Sequence, residues 1–339
     1  MALYAINDLD DAWAATREFL TPLSVRRLVV LAVVVFFVGG TGMNPLSSGG
    51  SGTGTVPEAG PGPEPNFDAV WGFIVENALA IGLVGGALLL LVLGFTFVSA
   101  LMEFVFVQSL RTDEVRFWEY SRRYLGEGLR LFGFRIGLAL ITLLPVLAFL
   151  GVGLTVIGEG PLTEVGGVAL VVLGLLALCV FVLVSVVDSF TAAFVVPVML
   201  VRRSGVLDSW RAFWPTLSGQ WKQYLAYAVA AIVLNVALGI VFGLLVAIAA
   251  LVLLVPLGVV GAGVALLAEQ VLLPVALVLG AVFVLGIVLA ALFVQVPIQT
   301  YLRYYALLIL GDTNERLDPV PRIRAAVRGD TDGHDPEAL

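Results

Sequence analysis

The chain is poor in the residues from which most chemical sites are built. Its 339 residues include one cysteine and one histidine, Cys179 inside an apolar run and His334 in a polar stretch near the end. A single cysteine forms no intrachain disulfide framework. His and Cys clusters able to hold a metal are ruled out for want of ligands. Among the 18 basic residues one is a lysine, Lys222. Charged residues make up 13% of the chain, half the ~25% of a soluble domain. No P-loop, GxSxG, HExxH or CxxC pattern occurs, so no cofactor is expected. With no nucleophile–base pair or metal set visible, an intramembrane enzyme is the least favoured reading. The first 25 residues are acidic and lack a basic region followed by an apolar core. A cleavable signal peptide is therefore not expected, and the first span would itself direct insertion.

What is present is grease. Apolar residues are 60% of the chain and the mean hydropathy is +1.04. A helix needs about 20 apolar residues to cross ~30 Å of hydrocarbon. Six stretches meet or approach that: 28–43, 73–107, 131–157, 165–201, 223–255 and 271–301. The fold class expected is all-α, a polytopic bundle of six transmembrane helices occupying residues 1–310. The first stretch is short and would borrow from 20–25 or tilt little. Residues 44–66, rich in Gly, Ser and Pro, read as a flexible extracellular loop. Residues 158–164 read as a short turn. The apolar, Gly-rich segment 256–270 reads either as re-entrant or as the end of a long fifth helix. Residues 311–339 read as a polar, disordered cytoplasmic tail.

Charge sorts with the spans. The segments before helix one, between two and three, between four and five, and after six hold all 18 Lys and Arg. The opposite connections hold none, but carry Glu58, Glu64, Asp68, Glu159, Glu164 and Glu269. Basic residues stay on the inner side, so both termini are expected in the cytoplasm of a multi-pass cell-membrane protein. Acids outnumber bases by 25 to 18. With so little lysine, that points to a salt-adapted source or, more blandly, to a GC-rich genome favouring Arg codons.

Each odd span follows a tryptophan-bearing segment, WAATREFLTPLSVRR from Trp13, WEYSRRYLGEGLR from Trp118 and WRAFWPTLSGQWK from Trp210. In each, a leucine follows seven positions after the tryptophan (Leu20, Leu125, Leu217). The layout suggests three repeats of one amphipathic segment plus one helical pair. Against this, Trp and Arg collect at any inner membrane border. Leu207, Trp210, Trp214, Leu217 and Trp221 share a stripe if the third segment is helical, with Pro215 bending or restarting it. Trp13, Trp118, Trp210, Trp214 and Trp221 are thus candidate interfacial anchors. The even spans look too long for a bilayer. They are expected to protrude into the cytoplasm or to break near Pro197 and Pro297, forming a layer with the tryptophan segments.

Ionisable groups within a span are functional candidates by default. Asp188 could bind a cation or relay a proton. The structural alternative is a carboxyl held neutral or bonded to Asn235, Gln295 or a hydroxyl. Glu103 is expected to pair with Arg135, more plausibly as a brace than as a site. Gln295 and Gln299 bracket Pro297 at helical spacing. They either line a polar cleft or satisfy carbonyls freed by the proline.

The segments YAINDLDDAWAATREFLTP, RRLVVLAVVVFFVGG, EFVFVQSLR, RLFGFR and YLRYYALLILGD resemble a haloarchaeal family of six-helix membrane proteins of unknown function. More distantly, VPVMLVRRSGVLDSWRAFW is similar to the membrane domain attached to some glycerophosphodiester phosphodiesterases. That domain is an anchor, and no phosphodiesterase activity is implied. Two functions are carried forward. One is a non-enzymatic scaffold, anchor or accessory subunit; the other is a transporter or channel for a small solute or lipid, using Asp188, Gln295 and Gln299. The partners expected are membrane lipids, with anionic headgroups at the Arg-rich face, and an unknown membrane protein. Nucleic acid is not expected.

Overall fold

A computed structural model describes residues 4–21, 24–39, 72–73, 75–158, 164–267 and 272–329. All secondary structure among them is helical. In order it comprises α1 (Tyr4–Leu20), α2 (Val25–Gly39), α3 (Ala78–Thr112), α4 (Phe117–Arg123), α5 (Leu125–Gly158) and α6 (Glu164–Phe190). A π-helical turn (Thr191–Val195) leads to α7 (Val196–Arg202), α8 (Val206–Gly219), α9 (Trp221–Leu267) and α10 (Leu272–Thr313). A 3-10 turn (Glu315–Leu317) and α11 (Pro321–Arg328) complete the set.

Five helical stretches are long and apolar enough to cross a membrane: α3, α5, α6 with its continuation through α7, α9 and α10. The stretch expected at 28–43 appears as α2, whose 15 described residues cover about 22 Å. Residues 40–43 and the loop 44–66 lie outside the described residues. In four of the five spans no residue of the most apolar window is buried within the chain. Such apolar surface is what lipid covers.

The long helices pack in pairs, α5 with α6 and α9 with α10, and α3 pairs with the shorter α2. Burial is concentrated at the Arg-rich end. Residues 99–110 of α3, 194–200 of the π turn and α7, and 304–310 of α10 are all buried, on every face of the helix. A helix apolar all round belongs in a core, and here three helix ends make that core for one another. At 35 residues α3 is about 52 Å long, well over the ~30 Å of a hydrocarbon core. The excess length of α3 makes its share of this layer. The close approach of α3 and α5 uses Gly128, where a Cβ would stand 3.2 Å from the Leu101 Cα.

Around that core the three short helices pack in a cycle. α4 lies on α3, α8 on α7 and the π turn, and α1 on α10. The pairs meet along α3–α5 and along α10–α2. No comparable backbone packing joins α9 to α6 among the described residues. At that third seam aromatic rings stand between the helices. Phe194 lies 4.9 Å from Tyr227, 5.1 Å from Tyr224 and 5.4 Å from Phe213, centre to centre.

Several expectations change. Residues 256–267 continue α9 through Pro256, so up to Leu267 the segment is the end of a long helix. Pro297 does not break α10, and α8 runs through Pro215 to Gly219. Ahead of Pro197 the α-helix gives way to the π turn at Thr191–Val195 and resumes at Val196 without a break in the helical run. The buried stripe of α8 is Val206, Ser209, Phe213 and Thr216, not the tryptophan stripe. The tail expected to lack structure from 311 instead holds the 3-10 turn and α11, because ion pairs bind it to α1. Residues 330–339 lie outside the described residues.

Candidate functional site

Where the spans enter the buried layer, four charged side chains meet. Arg135 on α5 donates from Nε to Asp188 Oδ1 on α6 at 3.1 Å. Its Nη2 reaches Glu103 Oε1 on α3 at 3.4 Å, and its Nη1 reaches Ser99 Oγ at 3.3 Å. Glu103 Oε2 accepts from Nη2 of Arg303 on α10. Glu103 retains 3% side-chain exposure and the two arginines about a tenth. Two carboxylates face two guanidiniums, so the formal charges cancel. A buried ion is tolerable only when paired and hydrogen-bonded.

The second Arg303 contact explains the π turn. Pro197 has no N–H and cannot continue the ladder. The Val196 N–H bonds to Thr191 O, five residues back, rather than to Ala192 O. Five residues on from Ala192 stands Pro197 itself, so the Ala192 carbonyl has no helical donor left. Arg303 Nη1 supplies one at 2.5 Å. Single π turns of this kind recur at functional sites, and this one adjoins a cavity.

That cavity has a volume of about 120 Å³ and lies at the third seam. Its polar lining is Glu103, Arg303, Asn235, Gln299, Tyr227 and Ser189, and alanines 192, 193, 228 and 231 give it room. Asp188, Arg135 and Gln295 are not on its wall.

The candidates named from sequence therefore divide. Glu103, Arg135 and Asp188 come together. Asp188 pairs with an arginine, in place of the bond expected to Asn235 or Gln295. Asn235 and Gln299 line the cavity, and the Asn235 amide donates to its own helix at Ala231 O, 2.7 Å away. Gln295 and Gln299 point their amides at Gly39 of α2, where a Cβ would overlap the Gln295 amide. Arg303 was missed, although it continues the four-residue spacing of Gln295 and Gln299.

Of the five tryptophans expected as interfacial anchors, Trp13, Trp118, Trp214 and Trp221 are exposed. Trp210 is not an exposed anchor. It packs against the core and its Nε1 donates to Thr191 Oγ1 at 3.1 Å, buttressing the π turn.

A second ionic cluster ties the chain ends together. Arg328 on α11 reaches Asp8 and Asp11 of α1 and Asp312 of α10, each at 2.8 Å. Arg324 joins Asp312 at 3.2 Å and Asp318 at 3.0 Å. Burial, with Asp312 close by, pushes the Asp8 carboxyl up to about 8. Burial also raises Asp318, and the carboxylates around Arg328 raise that guanidinium. Among the described residues no group of His, Cys, Asp and Glu is arranged to hold a metal ion.

A model of a family of unknown function, DUF7544, matches residues 3–320. No curated protein and no solved structure matches the chain.

Proposed function

We propose, for a chain that belongs to the DUF7544 family of unknown function, a non-enzymatic role as a scaffold, anchor or accessory subunit in the cell membrane. The single observation that carries this reading is the closed charge balance of Glu103, Arg135, Asp188 and Arg303. Two carboxylates answered by two guanidiniums leave no charge in want of an external ion, as in a structural brace. Here each carboxylate is held by a guanidinium, and of the four only Glu103 and Arg303, bonded to each other, face the cavity. The ordered working surface is then the helical layer at the Arg-rich end.

In this reading the chain crosses six times, with α2 as the first crossing and both termini cytoplasmic. The one-sided placement of every Lys and Arg supports it. The cyclic packing of α1, α4 and α8 supports a threefold repeat of short helix plus helical pair. The exposed tryptophans and unpaired surface arginines would rest among lipid headgroups, anionic ones preferred. The acidic balance and the resemblance to haloarchaeal sequences support a salt-adapted source. The likeness to phosphodiesterase membrane domains fits an anchor.

A second reading, passage of a small polar solute or lipid, is favoured by one feature, the cavity beside the π turn at the loosest seam. Asn235→Leu, which changes the cavity wall and leaves the four charges in place, separates the two. In cells that need the protein, unchanged growth and solute flux support the scaffold. Loss of one solute flux, with the protein still folded in the membrane, replaces it with transport. If the scaffold reading holds, purification in native lipid should yield a stoichiometric protein companion.

A further inference from the structure

A groove of about 670 Å³ runs between the start of α2 and α4. Three arginines stand at its mouth, Arg26, Arg27 and Arg116, and Val29, Val30 and Val33 form its wall. The guanidinium groups are not equally committed. Arg116 is spent on Glu114 at 2.7 Å and Glu119 at 3.2 Å. Arg27 gives Nη2 to Asp113 at 2.6 Å and lies over the Phe19 ring. Its Nε is buried with no hydrogen-bond partner. Arg26 is exposed and forms no ion pair among the described residues. The uncommitted guanidinium of Arg26 is therefore the one open to an acceptor from outside the chain.

The valines say which kind. Val29 and Val33 remain 46% and 41% exposed and continue into the apolar length of α2. Cation first and apolar strip after is the order in which a phospholipid presents phosphate and acyl chain. A free anion would leave the strip unused. Trp118, 74% exposed on the opposite lip, has the amphipathic ring found at headgroup depth.

We propose that this groove binds one membrane phospholipid, its phosphate taken by Arg26 and one acyl chain laid on Val29, Val30 and Val33. The proposal rests on the reading that the Arg-rich end meets lipid headgroups, and gives that contact an address. The test is native mass spectrometry of the full chain released from detergent. Added phosphatidylglycerol is compared with diacylglycerol, which lacks phosphate, and with inorganic phosphate, which lacks a chain. One phosphatidylglycerol should be retained per chain. Arg26→Gln should weaken retention about tenfold, the worth of one charge-assisted bond. Val33→Trp, which fills the groove and leaves every charge in place, should weaken it as much. If both variants keep the lipid as the wild type does, while all prefer phosphatidylglycerol to diacylglycerol, the groove is wrong and the headgroup reading stands. If the wild type shows no preference, both fall. If inorganic phosphate displaces the lipid fully, the site is an anion site and the proposal is overturned.

Discussion

Arg303 donates from Nη1 to the carbonyl oxygen of Ala192 at 2.5 Å, across 111 positions of sequence. The bond repairs a defect that Pro197 creates, and the same guanidinium holds Glu103. One side chain thus couples the backbone of the fourth apolar stretch to the charge of the second.

Arg303→Lys tests that coupling. A lysine keeps the charge but not the planar fork that serves two acceptors at once. The loss should be about 1–3 kcal/mol, the cost of one unmet buried group. In a Pro197→Ala background the helix can recover its regular ladder, because the Val196 N–H is free to return to Ala192 O. The lysine substitution should then cost less than in the native chain. Thermal unfolding of the four proteins in one detergent measures the difference. Equal costs in both backgrounds would break the link between proline, π turn and arginine.

Glu103 should matter more to stability than Asp188. Both arginines lean on Glu103, whereas Asp188 serves Arg135 alone and is more exposed. Glu103→Gln leaves a surplus buried guanidinium, a situation that costs about 3–5 kcal/mol. Asp188→Asn should cost clearly less. Combining Glu103→Gln with Arg303→Gln restores neutrality, so the pair should lose less than the sum of its members. Chemical denaturation of the purified variants reads all three.

Much of this was legible in sequence, and the boundary of legibility is physical. Apolar run length gave the long spans because a bilayer sets a length, and whatever exceeds it must go elsewhere. The buried 99–110 and 304–310 are that excess. Glu103 and Arg135 could be paired on paper because both are ions in apolar surroundings with few alternatives. Arg303 was hidden because it lies inside YLRYYALLILGD, where an arginine reads as the membrane border. Its spacing from Gln299 was the one clue. Trp210 was misplaced because a tryptophan at the border and one braced against a π turn look alike until Thr191 is seen to accept its proton. The tail read as shapeless because its composition is polar. Nothing local reveals that Arg328 meets Asp8, 320 positions away.

Docking of the chain ends should depend on pH, with α1 held more firmly on the acid side. Asp8, Asp11 and Asp312 share the Arg328 guanidinium, Arg324 reaches Asp312 but not Asp8, and Asp8 is fully buried. Its carboxyl is pushed up to about 8, against about 3.9 in an unfolded chain. Within that window the folded protein keeps a proton that the unfolded chain has released. The unfolded state then binds fewer protons, so raising the pH favours it. The Asp8 contribution is therefore complete below about pH 4 and is lost as pH rises toward about 8. Asp8→Asn mimics the protonated carboxyl without titrating. Hydrogen exchange of residues 4–20 should quicken with pH in the native chain beyond the intrinsic chemical trend. In the asparagine variant it should follow that trend alone. Identical corrected profiles for the two proteins would show that Asp8 releases its proton well below this range and that the shared-cation picture is wrong.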